Sequence, residues 1–223
     1  MPTADDGQAM TQQKPAPPQL CLVTPSLEDT RTIMAALDAA LAAVPVAAVL
    51  LRLADAGENT LVEQIKTLAP VVQNRGPALL LYGRSSLVGR SGADGAHLAG
   101  VDAFTEALPS LKPGRIAGCG ELTSRDDAMR AGEAGADYVM FGEPDGSGHR
   151  PSFQSIAERI GWWTEVFEVP CVGFAESVDE AVEIARARAE FIALGDLVFA
   201  DPRGAARALS DVAARLAATE TIS

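Results

Sequence analysis

Histidine and cysteine are scarce in this 223-residue sequence, which holds two of the first and three of the second. Cys21, Cys119 and Cys171 stand inside apolar, strand-like runs with no C-x-x-C spacing. That excludes a zinc or disulfide framework and makes them small buried hydrophobes. Only Cys119, near the end of its run, comes within reach of a site. No apolar run approaches the roughly 18 to 20 residues that span a bilayer, and the N-terminus lacks a basic segment followed by an apolar one. Cations are few as well: 18 Lys and Arg face 30 Asp and Glu, a net charge of −12. Such a balance repels polyphosphate backbones and anionic lipid. The expectation is a soluble, cytoplasmic protein whose partner is a small molecule, with no nucleic acid and no membrane.

What the chain does have is a repeat. Gly92-Ala93-Asp94-Gly95-Ala96-His97-Leu98 returns as Gly135-Ala136-Asp137-Tyr138-Val139-Met140-Phe141-Gly142. A worn copy follows at Arg188-Ala189-Glu190-Phe191-Ile192-Ala193-Leu194-Gly195. In each copy a helical pattern stops, the chain turns, and an acid opens an apolar run. A short apolar run bounded by glycine suits a strand buried on both faces, and its repetition suits a parallel sheet wound by helices.

In order, residues 1–18 form a proline-bearing lead without apolar periodicity, expected to be disordered. Strands follow at 19–24, 46–53, 77–82, in the first repeat copy, at 115–119, in the second copy, at 170–174 and in the third. Helices are expected at 28–44, 59–73, 85–91, 103–110, after the Ser124 cap, at 153–167, 178–187 and 202–218. Eight strands alternating with eight helices specify one (β/α)8 barrel over residues 19–219, a fold of about 200 to 250 residues. An open doubly wound sheet is the alternative.

A barrel carries its chemistry at the C-terminal ends of its strands. Here those positions are Thr24, Arg52, Asp55, Tyr82, Arg84, His97, Asp102, Cys119, Glu121, Glu143, the 145–150 loop, Glu176 and Asp196. Carboxylates dominate, which favours a divalent metal or a cationic ligand unless the acids merely point into solvent. Arg52 suits an anion, or else an ion pair with Asp55. His97 reads as a structural residue packed between strand and helix. The loop Gly146-Ser147-Gly148-His149-Arg150 reads as a flexible, partly cationic segment able to close over an anion.

The order of these motifs resembles the thiamine phosphate synthase and thiazole tautomerase family over roughly Leu20 to Leu216. The matching strings are Cys21-Leu22-Val23-Thr24-Pro25, Leu51-Arg52-Leu53-Ala54-Asp55, and the first two repeat copies. The resemblance implies transfer of a pyrimidine methyl group from its diphosphate to a thiazole phosphate, with magnesium assisting departure of diphosphate. Arg52 and Arg150 are then the catalytic cations, and Asp102 the magnesium carboxylate. Ser147 then lies in the loop that meets the diphosphate, and Thr24, Tyr82, Arg84, Glu176 and Asp196, from their places at the strand ends, are the other substrate-binding candidates.

Several positions depart from the family pattern. Leu50 and Ala54 replace glutamine and lysine, Tyr82-Gly83 replaces Asn-Asp, and Gly120 stands at a serine. Ala175-Glu176 replaces the Gly-Gly turn whose N–H groups hold the thiazole phosphate, and Asp196 replaces another serine. A divergent member is implied. The alternative is a paralogue binding a metal or a cationic, phosphate-free heterocycle, as isomerase or binding module.

On the 153–167 helix, Ile156, Ile160, Trp163 and Phe167 form a stripe expected to face the barrel. Trp162, about 100° away, points to a homo-oligomer interface or to a partly buried flank.

Overall fold

A computed structural model describes residues 17–220; all of the expected lead except Pro17 and Pro18 falls outside them. The strands are β1 (Gln19–Val23), β2 (Ala48–Leu51), β3 (Ala78–Tyr82), β4 (Gly95–Ala99), β5 (Ile116–Gly120), β6 (Tyr138–Phe141), β7 (Cys171–Ala175) and β8 (Phe191–Leu194). Between and after them run α1 (Met34–Ala43), α2 (Glu58–Gln73), α3 (Ser85–Ser91), α4 (Val101–Leu111), α5 (Arg125–Glu133), α6 (Phe153–Val166), α7 (Val178–Arg186), α8 (Asp196–Phe199) and α9 (Ala205–Glu220). Each strand pairs in parallel with its neighbours in sequence, and β1 also pairs with β8, Cys21 opposite Ala193. That last pairing closes the barrel and excludes the open sheet.

Alternation along each strand builds two apolar layers. Val49 and Leu51 of β2 join the shell between strands and helices. Leu50, between them, joins Cys21, Val23, Leu80, Met140, Val172 and Phe174 inside the barrel. Helix α6 turns Ile156, Ile160 and Trp163 inward, as its stripe requires. Phe167 stacks on Trp163 at 4.1 Å between centroids. Trp162 is half-buried, with the Arg125 guanidinium 4.7 Å from its ring centroid, so its flank is covered from within the chain.

The repeated acid is a fastener between strands. Asp94 Oδ2, just before β4, accepts the N–H of Leu79 in β3 at 2.7 Å. Asp137 Oδ2, before β6, accepts that of Ala117 in β5 at 2.7 Å. Glu190 Oε2, before β8, accepts that of Cys171 in β7 at 2.9 Å. A charged acceptor on an otherwise unpaired backbone donor makes a strong bond. All three lie at the N-terminal end of the barrel, away from the face that barrels use for chemistry.

Two expected helices are shorter than their patterns. In the 28–44 stretch Asp29 caps a single 3-10 turn, Thr30–Thr32, before α1 begins. Leu27 is held instead by a bridge to Leu53. In the 202–218 stretch Asp201 accepts the N–H and guanidinium of Arg203, fixing a turn at Pro202, and α9 starts only at Ala205. Ser124 caps α5 as expected, in a reciprocal box with Asp127.

Candidate functional site

The C-terminal mouth is built around a stack of rings made possible by two glycines. A Cβ at Gly118 would lie 2.0 Å from the Tyr138 ring, and one at Gly120 would lie 1.8 Å from Glu143 Oε1 and 2.4 Å from His97 Nε2. Glycine at both places lets these side chains cross the barrel. His97 stacks between Tyr82 (5.6 Å, 28°) and Tyr138 (5.7 Å, 17°). It is fully buried, but inside the barrel rather than between strand and helix.

A polar chain runs through this stack. The Arg52 guanidinium lies 5.2 Å from the Tyr82 ring centroid, within cation–π range. Tyr82 donates its hydroxyl to the Glu121 carboxylate. Glu121, at a strained φ of 50°, donates its backbone N–H to Glu143 Oε1 at 2.6 Å. Glu143 Oε1 is 3.5 Å from His97 Nε2, whose other nitrogen is 3.0 Å from the Tyr138 hydroxyl. Nε2 is buried without a hydrogen-bond partner, because 3.5 Å is too long for one.

Burial, then the bond to Glu121, raises the Tyr82 phenol well above its ordinary value, and burial does the same for Tyr138. Both hydroxyls therefore stay protonated. Burial also pushes the Cys119 thiol up to about 12, with Glu143 and Asp127 adding to it. Cys119 lies in the outer shell and does not reach the site.

Beside the stack, a cavity of about 330 Å³ brings together four expected site residues: Thr24, Arg52, Glu176 and Asp196. Thr24 is buried and accepts the Arg52 N–H at 3.0 Å, fixing where β2 ends. Arg52 has no carboxylate partner among the described residues. Asp55 does not pair with it; Asp55 is 2.8 Å from Arg84, which also donates to Leu53 O. Tyr82 adjoins the cavity through Arg52, whereas Arg84 does not line it.

Arg150 is no mobile cation. Its guanidinium donates to Gly142 O at 2.6 Å and Phe174 O at 2.9 Å, tying the ends of β6 and β7. It also grips Glu180 bidentately at 3.0 and 2.8 Å and meets Glu176 at 3.2 Å. The Arg150 side chain is only 12% exposed. Ser147 is spent nearby, donating its hydroxyl and N–H to Asp145, whose carboxyl those bonds and the His149 N–H hold below its usual range. Glu180 was not singled out from the sequence, although Ser177-x-x-Glu180 before a helical run is a capping signal that marks it.

Asp102 is 98% exposed and 3.4 Å from Arg130. Among the described residues no three of His, Cys, Asp and Glu are grouped to hold a metal. A single carboxylate already shared with a guanidinium does not build a magnesium site.

A family model described as thiamine monophosphate synthase matches residues 20–198. The chain belongs to this family. It is 39% identical over 197 residues to a thiamine-phosphate synthase of Rhodospirillum centenum, covering 86% of this chain and 95% of that one. Against the thiamine-phosphate synthase of Hyphomonas neptunium it is 30% identical over 202 residues, covering 86% and 90%. In fold it matches a thiamine phosphate pyrophosphorylase from Pyrococcus furiosus with a TM-score of 0.74 at 19% identity, covering 90% and 96%. A geranylgeranylglyceryl phosphate synthase from Thermoplasma acidophilum gives 0.66 at 14%, a likeness of barrel alone.

Proposed function

We propose that this family member joins a pyrimidine methyl group to the ring nitrogen of a thiazole, as a divergent thiamine phosphate synthase. In that reaction the CH2–O bond of the pyrimidine methyl diphosphate breaks and diphosphate leaves with the electron pair. The thiazole nitrogen lone pair forms the new N–CH2 bond, giving a thiazolium product. The observation that carries the reading is Arg52, a guanidinium free of any described carboxylate and opening on the mouth cavity. Such a donor stabilises the charge that develops on a departing diphosphate. The Tyr82 ring beside it offers a face to a flat heterocycle.

Packing at the mouth links two of the departures from the family pattern. Serine cannot stand at position 120 while Glu143 and His97 occupy the space its Cβ needs. Gly120 and Tyr82, two of those departures, therefore belong to one arrangement with Glu143 and Glu121.

A second reading, that the barrel binds a cationic heterocycle without turning it over, is favoured by Glu176 and Asp196 on the cavity wall. The test gives purified protein the pyrimidine diphosphate with thiazole phosphate or with thiazole alcohol. Release of diphosphate with a coupled product supports the transfer. Thiamine binding with neither acceptor consumed supports the second reading instead.

A further inference from the structure

Glu121, just past β5, holds a backbone conformation that its side chain does not favour. Its φ of 50° lies in the left-handed region, where residues other than glycine are uncommon and persist only in firm surroundings. Two bonds hold it there. Its N–H is donated to Glu143 Oε1 at 2.6 Å, and its carboxylate accepts the Tyr82 hydroxyl. Because burial keeps the proton on that phenol, the second bond joins a hydroxyl to a carboxylate. Tyr82 in turn stacks on His97 and has the Arg52 guanidinium 5.2 Å from its ring centroid. The Arg52 side chain has no hydrogen bond or ion pair among the described residues, so the ring is the contact that orients it. Arg52 lines the mouth cavity; Glu121 stands behind the ring and does not.

We propose that Glu121 is a positioning residue for Arg52, acting through Tyr82; this rests on the transfer reaction proposed above. The carboxylate fixes where the phenol points and so where the ring stands. It also draws on the hydroxyl proton, which leaves the ring richer in electrons and its face more attractive to a cation. Arg52, a long side chain with many rotamers, is thereby kept at the cavity where diphosphate departs, and its ordering is complete before the substrate arrives. The sign of the effect separates this role from a direct one. A carboxylate acting on diphosphate across space repels it, so its removal would tighten binding. A carboxylate that positions Arg52 does the opposite, and its removal loosens binding and slows transfer.

The test is a double-mutant cycle, read as kcat for coupled product and as affinity for inorganic diphosphate by calorimetry. Glu121→Ala is expected to lower both by about tenfold, the effect of a misplaced group. Glu121→Gln, whose amide oxygen still accepts the phenol, is expected to recover part of that loss. In an Arg52→Ala chain, Glu121→Ala is expected to change either quantity by less than about twofold, because a residue acting through Arg52 has nothing left to position. Tyr82→Phe keeps the ring and removes the bond, so it runs the same cycle if Glu121→Ala fails to fold, with a loss again expected only while Arg52 is present. Equal losses with and without Arg52, or tighter diphosphate binding by Glu121→Ala, overturn the inference. A wild type that binds diphosphate through Arg52 yet makes no coupled product overturns the transfer reaction, and the binding cycle still decides the role of Glu121. A wild type that does not bind diphosphate overturns both.

Discussion

Nε2 of His97 lies 3.5 Å from Oε1 of Glu143, with the two side chains 0% and 8% exposed. A carboxylate and an imidazole shut into one barrel must be supported by their neighbours, and they are: Glu121 donates its N–H to Glu143, and Tyr138 meets His97 Nδ1. The cost of this arrangement is the space above Gly120. Gly120→Ser is expected to destabilise the fold by about 1–3 kcal/mol through overpacking. Urea unfolding measures it, and Glu143→Ala in the same chain should restore part of the loss. A Gly120→Ser chain as stable as wild type would mean that the stack is loose.

Arg150 joins the ends of β6 and β7 while neutralising Glu180. Removing it strands a largely buried carboxylate. Arg150→Ala should lose about 3–5 kcal/mol, the range for breaking one side of a buried pair, read as a lower urea midpoint.

Asp137 fastens β6 to β5 and also takes Lys112 Nζ at 2.6 Å, at the end of the barrel opposite the mouth. Asp137→Asn is expected to cost about 1–3 kcal/mol of stability with kcat/KM unchanged within twofold. A change in turnover without a change in stability would contradict the structural role.

Burial pushes the Cys21 and Cys119 thiols up to about 12 and raises Cys171 as well. An unfolded thiol titrates near about 8.5, so the folded state holds these protons more tightly. Their contribution to stability is complete below that pH and is lost as pH rises from there toward about 12. All three thiols should resist a disulfide reagent at pH 8 until denaturant is added. Rapid labelling of the native protein would show that the strands open.

Much of the barrel was legible because the physics that forms it is local. The Gly-Ala-Asp copies mark where helices stop and strands begin, and their acids serve as fasteners in all three places. Helix starts were read well at Ser124, where a side-chain cap announces itself. They were misread near Asp29 and Asp201, where an aspartate bends the chain into a turn ahead of the helix. At the site, Thr24, Arg52, Glu176 and Asp196 were placed at strand C-terminal ends, and they line one cavity because strand ends of a barrel converge whatever the side chains do. Arg150 and Ser147 were not legible as occupied groups. Their partners, Glu180 and Asp145, act through side-chain geometry that no spacing rule supplies. His97 was read as facing the helices, and only the absence of side chains at Gly118 and Gly120 explains why it fits inside.

On the proposed reading, Arg52 meets a departing diphosphate at the mouth of this barrel. Its most direct test is diphosphate release from the pyrimidine substrate by wild type and by Arg52→Ala, with both thiazole acceptors supplied. Coupled product is expected from the wild type, with a loss of about 100-fold to 1,000-fold in kcat for the variant, the cost of removing one donor to transition-state charge. An Arg52→Ala protein that turns over within threefold of wild type, or a wild type that consumes neither acceptor, would contradict it.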